Sequence, residues 1–376
     1  MPAAPERRAR VLQVLGQSTG GVGRHVATVV EALDGREGLA LDIAAPGDLR
    51  APMPKRWVPV PIPRGPGFGH RAAVARLRSL LEEGGYGLVH GHGLRAGLDA
   101  VAAARLARVP SLITLHNLVR PEISGRARAV VYAPMEPVVM RLSTRTLAVS
   151  EQMADHLLGV ASRSAAKIEV LHVGVGEPPV VTRTRDEVRA ELGLADESLI
   201  VTAVRLVPQK NLPVMLRAVA GLSSSAVLAV VGEGRLRASL EDLAQELGIA
   251  ERVRWLGWRA DAADLIAAAD VLCLSSTWEA VPLAAQEAVL LGVPVVSTDV
   301  GGLRELVRDG ETGRLVPSDD PGALATALDN LLFDRDRAAR LASAALTDYE
   351  ARFSRVRMLD RLASLYLALA VASGPS

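Results

Sequence analysis

Two glutamates separated by seven residues follow an apolar segment in the second half of the chain. The segment 269–275 is typical of a buried parallel strand, and Pro282 suits the first turn of a following helix. Glu279 is therefore predicted in the loop after the strand, and Glu287 about one turn inside the helix. Open α/β sheets bind ligands at the carboxyl ends of their strands, so both carboxylates are expected to face a crevice. One can hold a ribose diol and the other a second sugar, which predicts a nucleotide-sugar site.

Two cations and two glycine-rich turns lie near other predicted strand ends in the same half. Arg205 and Lys210 follow a strand and precede a helix, where a guanidinium fork and an ammonium can both reach a diphosphate. A solvated loop with two chance cations is the alternative. Gly232 and Gly234 form a turn suited to close packing or to a flat base resting on backbone. The segment 297–302 is a candidate anion-binding turn.

A glycine loop follows the first predicted strand, 11–15. Gly20, Gly21 and Gly23 allow positive φ and close approach of another molecule, and the next helix start offers free N–H groups to an anion. The spacing is not that of a dinucleotide-binding fingerprint. A simple tight turn is therefore an equal alternative.

Three histidines end predicted strands of the first half and are expected to point into one crevice. These are His90, His92 and His116. A metal site is one alternative, but no carboxylate or cysteine cluster accompanies them. We expect His116 to donate a hydrogen bond to a substrate hydroxyl. His25, on the first helix, is a candidate general base, with a packing role as the simpler interpretation.

Strand and helix signals alternate along the chain, which predicts an α/β protein with two parallel sheets. The segment 174–185 carries glycines and paired prolines that cannot continue an element. We therefore predict a first domain at 1–175, a linker at 176–185, a second domain at 186–355, and a C-terminal helix and tail at 356–376 that packs back on the body.

The composition narrows the class of protein. The chain has 376 residues, 49% of them hydrophobic, and a net charge of +1, which argues against nucleic acid as the main partner. Its single cysteine, Cys273, lies in a predicted buried strand and allows no disulfide framework. The chain lacks a signal-peptide pattern and an apolar stretch of membrane-spanning length. These features predict a cytoplasmic protein, with peripheral contact at the inner membrane face as the alternative.

One group of basic residues bears on that alternative. Arginines at five positions are expected around one predicted helical segment, 126–141, namely Arg120, Arg126, Arg128, Arg141 and Arg145. They could meet anionic lipid or a phosphorylated acceptor, whereas a solvated basic face is the simpler interpretation.

These motifs together resemble the retaining glycosyltransferases of the GT-B fold, in particular family 4 (glycosyl transferases group 1). The resemblance covers almost the whole chain and rests on the glycine loop, the strand-end histidines, the segment 205–210, the glutamate pair and the segment 294–302. It implies two Rossmann-like domains facing each other across a cleft, the first on the acceptor side and the second binding the nucleotide sugar.

The resemblance also assigns roles to individual residues. Glu287 would hold the donor ribose, Glu279 would face the transferred sugar, and Arg205 and Lys210 would bind the diphosphate. The residues implied in catalysis are His116, Glu279, Arg205 and Lys210. Those implied in donor binding are Gly20, Gly21, Gly23, Arg205, Lys210, Gly232, Gly234, Trp258, Arg259, Glu279, Ala280, Val281, Pro282, Leu283 and Glu287. His90, His92 and Asn117 are placed on the acceptor side.

By resemblance, the reaction is transfer of a hexose or related sugar from a nucleotide diphosphate sugar, UDP-linked rather than GDP-mannose, to an unidentified acceptor. The anomeric configuration is retained, no metal or other cofactor is required, and the leaving phosphate takes the acceptor's proton. A nucleotide-sugar epimerase of the same fold is the alternative enzyme, and a binding-only protein is the alternative of another class.

Two positions depart from the family pattern. Ala280 stands where the family usually has glycine after the first glutamate, which would limit positive φ there. The family's Pro-Asn-Gly-Val before the linker is replaced by the sequence from His172 to Val175, and the asparagine is missing. Since both departures leave the charged residues in place, activity is still expected.

Overall fold

The structure is a computed structural model that describes residues 8–17, 21–47, 57–63, 65, 67–119, 126–174, 177–280 and 282–371. Two predicted site residues, Gly20 and Val281, lie outside the described residues, as do Arg120 and the side chains of 126–128. The chain divides into two compact units. One comprises Met1–Val173 with Arg355–Ser376, and the other comprises Gly174–Ser354.

The first unit is built on a seven-stranded parallel sheet in the order β3-β2-β1-β4-β5-β6-β7. Its strands are β1 (Ala9–Leu15), β2 (Leu39–Ala45), β3 (Trp57–Pro59), β4 (Leu88–His92), β5 (Ser111–Leu115), β6 (Arg145–Ala148) and β7 (Ile168–Val170). The helices that connect them in the described residues are α1 (Gly21–Leu33), α2 (Gly69–Gly84), α3 (Leu94–Ala107), α4 (Arg126–Tyr132), α5 (Met135–Leu142) and α6 (Glu151–Val160).

The second unit repeats this architecture with a six-stranded parallel sheet in the order β10-β9-β8-β11-β12-β13. The strands are β8 (Leu199–Ala203), β9 (Val227–Val231), β10 (Val253–Gly257), β11 (Val271–Leu274), β12 (Val295–Thr298) and β13 (Arg314–Val316). The helices are α7 (Arg185–Glu191), α8 (Leu212–Ala220), α9 (Arg237–Glu246), α10 (Ala262–Ala267), α11 (Leu283–Leu290), α12 (Leu303–Leu306), α13 (Pro321–Phe333) and α14 (Arg335–Arg352).

The central strands form because both faces of each parallel sheet are covered. Strands such as β2 and β9 are buried along their whole length and consist almost entirely of apolar residues. Continuous apolar strands of this kind are the signature of parallel sheets between two helical layers. The predicted pair of Rossmann-like α/β domains is confirmed.

The C-terminal helix α15 (Arg355–Val371) returns to the first unit, as predicted. Its apolar residues Met358, Leu362 and Tyr366 join a buried cluster with Val11 on β1 and Val26 on α1. Tyr366 is fully buried in that cluster. The helix therefore covers one face of the first sheet and completes its core.

Several predicted boundaries were wrong for identifiable reasons. The helix predicted over 126–141 is interrupted between α4 and α5, where Pro134 lies; proline has no N–H to continue the hydrogen-bond ladder. The first helix begins at Gly21, so Gly21 and Gly23 are helical and not part of a loop. Pro282 is not inside α11 but immediately precedes it in an extended conformation.

Around the interdomain region, the unit boundary follows Val173. The helix α7 begins at Arg185, at the end of the predicted linker. Thr184 and Glu187 form a reciprocal capping box that satisfies backbone N–H groups at this helix start.

Candidate active site

The charged residues of the second unit lie where the order of its sheet reverses. The chain runs from β8 outward through β9 to β10 and then returns to place β11 on the other side of β8. The loops after β8 and β11 therefore flank a topological switch point, the usual ligand position in open α/β sheets. Arg205 and Lys210 belong to the first loop, and Glu279 belongs to the second.

Lys210 and Glu279 form an ion pair across this switch point. The Lys210 Nζ contacts Glu279 Oε1, which also accepts a hydrogen bond of 2.6 Å from the Ser276 hydroxyl. The two charged side chains are only 13% and 6% exposed. The ammonium and the hydroxyl therefore hold this buried carboxylate in a fixed position.

Hydrogen bonds between the two loops hold this pair in place. The Gln209 side-chain amide donates to the Trp278 carbonyl at 2.9 Å, and the Thr277 amide donates to the Gln209 carbonyl at 2.9 Å. The Ser275 hydroxyl donates to the Lys210 carbonyl at 2.9 Å. The loop that carries the cations and the loop that carries the carboxylate are thus one connected frame.

Gly301 lies so close to the backbone of Glu279 that only glycine fits at this position. Gly301 has a φ of 55°, and a Cβ there would lie 1.7 Å from the Glu279 carbonyl oxygen. The Gly302 amide donates to that same oxygen at 3.0 Å. The segment after β12, predicted as an anion-binding turn, therefore supports the backbone of Glu279.

Gly232 and Gly234 allow a similarly close approach to the loop that carries Arg205. Cβ atoms at these positions would lie 1.9 Å from the Val204 carbonyl oxygen and 2.3 Å from that of Leu206. The Leu206 amide donates to the Glu233 carbonyl at 2.9 Å. Close packing, one of the two interpretations of this turn, is thus present.

The remaining donor-side residues differ in their surroundings. Arg205 is exposed and makes no ion pair within the described part of the chain. Glu287 is buried, with 7% exposure, on α11. Pro282 and Leu283 lie at the start of that helix and are partly buried, as is Ala280. Ala280 keeps an ordinary backbone conformation, since its φ is not positive.

Trp258 and Arg259 follow β10 and have different environments. Trp258 is 69% exposed. Arg259 contacts Glu191 and Asp261 at 2.7 Å each, and these hydrogen-bonded carboxylates, Asp261 first, raise the pKa of Arg259. Arg259 is therefore already engaged, whereas the Trp258 ring offers an open aromatic face.

The first unit brings its predicted histidines together in a buried cluster. His90 and His92 have ring centroids 4.1 Å apart, and His92 and His116 stack at 5.5 Å. His25 meets His116 edge-on at 5.9 Å. Burial lowers the pKa of His25 to about 4 and that of His116 to about 3, so both are neutral at pH 7.

Two residues that sequence reasoning missed join this cluster. Gln13 contacts both His92 and the hydroxyl of Tyr366, which in turn contacts His90. Gln13 is the one polar residue within the otherwise apolar segment Val11–Leu15, and that interruption was a usable signal. Tyr366 gave no such signal, because a tyrosine in an apolar helix face looks like core.

Other first-unit predictions are placed without being brought into contact with the cluster. Asn117 is exposed immediately after His116. Gly23 is buried in the first turn of α1, and Gly21 precedes it in the same turn.

Among the described residues, no group of three or more His, Cys, Asp or Glu side chains is arranged to hold a metal ion. Nor does that part of the chain contain a helix both long and apolar enough to cross a membrane.

Two family models match successive parts of the chain. "Glycosyltransferase Family 4" matches residues 19–176, and "Glycosyl transferases group 1" matches residues 184–348. The first of these segments contains the histidine cluster from His25 to His116. The second contains the loops that carry Arg205, Lys210 and Glu279.

Two similar curated proteins carry the same name. The D-inositol 3-phosphate glycosyltransferase of Mycobacterium marinum is 34% identical over 310 residues, which cover 78% of this chain and 66% of the relative. The protein of that name from Mycolicibacterium vanbaalenii is 34% identical over 318 residues, covering 78% of this chain and 70% of the relative. The chain thus spans about two thirds of the length of these relatives.

Solved structures share the fold over almost the whole chain. Sucrose-phosphate synthase from Thermosynechococcus elongatus has a TM-score of 0.84 at 23% identity, covering 97% of this chain and 100% of the other. Anabaena HepE, solved with UDP and glucose, has a TM-score of 0.83 at 22% identity, covering 96% and 100%. With the family models and the relatives, these similarities show that the chain belongs to the group 1 glycosyltransferases of family 4 type, which have the GT-B fold.

Proposed function

We propose that the protein transfers a sugar from a UDP-sugar to a hydroxyl of its acceptor, with retention of the anomeric configuration. The observation that carries this proposal is the arrangement of Arg205, Lys210 and Glu279 at the switch point of the second sheet. UDP is favoured over GDP because Anabaena HepE structures hold UDP and UDP-glucose. Retention is proposed from the resemblance of the site motifs to those of retaining glycosyltransferases.

The two cations would stabilise the diphosphate as it leaves. Negative charge grows on the phosphate oxygens while the glycosidic bond lengthens. Arg205 is exposed and can present its planar fork, and the Lys210 ammonium can donate another of its N–H groups to the phosphate while it keeps its contact with Glu279. A single preorganised donor of this kind is worth ~3 kcal/mol in the transition state. We propose that these cations act in place of a metal ion.

Glu279 would face the transferred sugar as a fixed acceptor of hydrogen bonds. One of its oxygens is already bound by Lys210 and Ser276, and its backbone is held by Gly302. A carboxylate so tightly held suits orientation of sugar hydroxyls better than attack on carbon. The leaving phosphate would then take the acceptor's proton.

The acceptor is proposed from the relatives. Their name specifies D-inositol 3-phosphate, a phosphorylated polyol. We therefore propose a hydroxylated acceptor that carries an anionic group, and D-inositol 3-phosphate is the first compound to test.

Contact with a membrane surface is proposed from an exposed apolar patch in the first unit. On α4 and α5, Val130 is 76% exposed and Val138 is 47% exposed, and Arg141, about one turn after Val138 on α5, is also exposed. Apolar side chains with neighbouring arginines are suited to an anionic bilayer interface. Sedimentation with phosphatidylglycerol vesicles but not with phosphatidylcholine vesicles would support this contact; equal recovery in both supernatants would refute it.

The test of the proposed function is direct. The protein is incubated with UDP-glucose, UDP-N-acetylglucosamine or GDP-mannose, with and without D-inositol 3-phosphate, in the presence of EDTA. We expect acceptor-dependent release of UDP and a product whose anomeric proton coupling matches that of the donor. An epimer formed without acceptor would support the epimerase instead, although the family models and the names of the relatives do not favour it.

Substitution of Glu287 tests the donor ribose contact. Loss of its carboxylate in Glu287→Ala should weaken UDP binding about tenfold, the usual size of one charge-assisted hydrogen bond. Glu311→Ala, which removes an exposed glutamate of the same unit, is the matched control. Isothermal titration calorimetry gives both dissociation constants, and an unchanged value for Glu287→Ala would remove its ribose role.

A further inference from the structure

A line of polar side chains crosses one face of the first sheet. Gln13 on β1 lies opposite His90 on β4, and His92 lies opposite Thr114 on β5. Residues paired in this way share a face, and alternate residues of each strand repeat it. Tyr366 reaches the same line from α15, and His90, His92, Gln13 and Tyr366 are all at most 4% exposed.

Hydrogen bonds connect this line without interruption. His90 Nε2 lies 2.8 Å from the Thr114 hydroxyl, and His90 Nδ1 lies 2.8 Å from the Tyr366 hydroxyl. The Gln13 Nε2 donates to the Tyr366 hydroxyl at 3.0 Å. On its other side, Gln13 Oε1 lies 2.8 Å from His92 Nε2, and His92 Nδ1 lies 3.2 Å from His116 Nε2.

The Gln13 amide fixes the direction of the bonds on the tyrosine side. Because the amide nitrogen can only donate, the Tyr366 oxygen accepts from it and must give its own proton to His90 Nδ1. A neutral imidazole carries one proton, so that of His90 lies on Nε2 and is donated to Thr114.

The same amide fixes the bonds on the His116 side. Its oxygen can only accept, so His92 carries its proton on Nε2 and has a lone pair on Nδ1. That lone pair requires a proton on the facing Nε2 of His116. The remaining nitrogen, His116 Nδ1, is then a hydrogen-bond acceptor, and no partner for it occurs among the described residues.

We propose that Gln13 and Tyr366 are positioning residues that set the tautomer of His116, so that His116 Nδ1 accepts a hydrogen bond from a hydroxyl of the sugar or acceptor. This rests on the proposed function in that His116 contacts substrate. It reverses the donor role expected from the sequence. It also gives the C-terminal helix a part in the chemistry, because the Tyr366 hydroxyl links the amide on which the tautomer depends to His90.

The chain of bonds has a competing state. Rotation of the Gln13 amide by 180° would reverse every bond, and His116 would then carry its proton on Nδ1 and act as a donor. Neutral histidines are needed in both states, and burial holds the pKa of His90 and His92 well below the ordinary value. The tautomer of His116 therefore reports which state the protein adopts.

Nitrogen NMR of the imidazole rings tests the proposal directly. The protein has seven histidines, which makes a histidine-labelled sample tractable. Long-range proton–nitrogen spectra at pH 7.5 distinguish protonated from unprotonated ring nitrogens, and His116→Gln assigns the His116 signals. We expect His92 and His116 as single Nε2–H tautomers. A proton on His116 Nδ1 in the unsubstituted protein overturns the proposal.

Two variants remove the orienting contacts. Tyr366→Phe deletes the acceptor of the Gln13 amide nitrogen, and Gln13→Met deletes the amide itself. In each, His116 should show a mixture of both tautomers. Tyr349→Phe is the matched control, because it removes a buried tyrosine–glutamine hydrogen bond of 2.7 Å in the second unit. It should lower the melting temperature to a similar extent and leave the His116 tautomer single.

Kinetics separate positioning from folding. In Tyr366→Phe we expect kcat to fall about fivefold, as for one weakened neutral hydrogen bond, with KM for the nucleotide sugar unchanged. A single Nε2–H tautomer and full kcat in both variants would refute the positioning role. A protein with the expected tautomers but no transferase activity with any donor would refute the proposed function and leave the hydrogen-bond inference standing.

Discussion

The two units place their polar residues at the same point of the same architecture and use opposite chemistry there. In the first unit, the loops after β1 and β4 flank the reversal of strand order, and neutral histidines line it. In the second, the loops after β8 and β11 flank the reversal, and they carry Arg205, Lys210 and Glu279 as full charges. The fold therefore supplies a position, and the side chains decide what is bound.

The difference arises because the second site contains an ion pair, whereas the first site contains uncharged histidines. Lys210 and Glu279 are buried together as an ion pair, so each charge has a partner of opposite sign. Among the described residues, no carboxylate contacts the clustered histidines, so burial and mutual repulsion keep His90 and His92 uncharged. A neutral site suits sugar hydroxyls, and a charged site suits a diphosphate.

The largest expected effect comes from removing charge in the second unit. Lys210→Met should lower kcat about 100-fold, because one preorganised cation is lost from the leaving diphosphate. It should also lower the free energy of unfolding by about 3 kcal/mol, since Glu279 remains buried without its ammonium. Steady-state kinetics and urea unfolding measure the two effects.

A double variant separates those two effects. Lys210→Met with Glu279→Gln removes the unpaired charge, so it should recover most of the stability and none of the activity. Lys167→Met is the matched control, because this lysine of the first unit donates to the backbone carbonyls of Arg141 and Ser143. Loss of activity in the control as large as in Lys210→Met would contradict the special role of Lys210.

As the pH is lowered, the first unit should lose stability at a higher pH than the second unit. His25 and His116 have folded-state pKa values lowered by burial to about 4 and about 3, whereas exposed histidine titrates near 6.5. Between pH 6.5 and these values the unfolded chain binds protons that the folded unit does not. The free energy of unfolding is therefore unaffected above pH 6.5 and falls as the pH decreases, by about 2 kcal/mol for each histidine at pH 5.

Hydrogen exchange measured by mass spectrometry resolves this effect by unit. With labelling times corrected for the intrinsic effect of pH, peptides from β1, β4 and β5 should lose protection between pH 7 and pH 5 more than those from β8 and β11. The variant His25→Phe, which removes one of the titrating groups, should reduce the loss. Equal loss of protection in the two sheets would show that the buried histidines do not make the first unit more sensitive to acid than the second.

Sequence patterns predicted both sheets because a continuous apolar strand followed by a helical period has few other solutions. They also located Lys210 and Glu279, since the ends of neighbouring parallel strands must meet at one edge. The short strands β3, β7 and β13 were missed because three residues carry too little periodicity. The contact between Gln13 and Tyr366 spans almost the whole chain, so no local pattern could reveal it.

The smallest expected effect concerns Ala280, which follows Glu279 and stands where the family usually has glycine. Gly301 must be glycine because a side chain there would meet the Glu279 carbonyl, but Ala280 adopts an ordinary backbone conformation. Ala280→Gly should therefore leave kcat/KM within about twofold and lower the free energy of unfolding by about 0.5 to 1 kcal/mol through added freedom of the unfolded chain. Gly301→Ala, in contrast, should displace Glu279 and abolish most activity. Steady-state kinetics of the two variants test this expectation. A large gain in activity for Ala280→Gly would mean that the alanine, and not the charged pair, limits the catalytic rate.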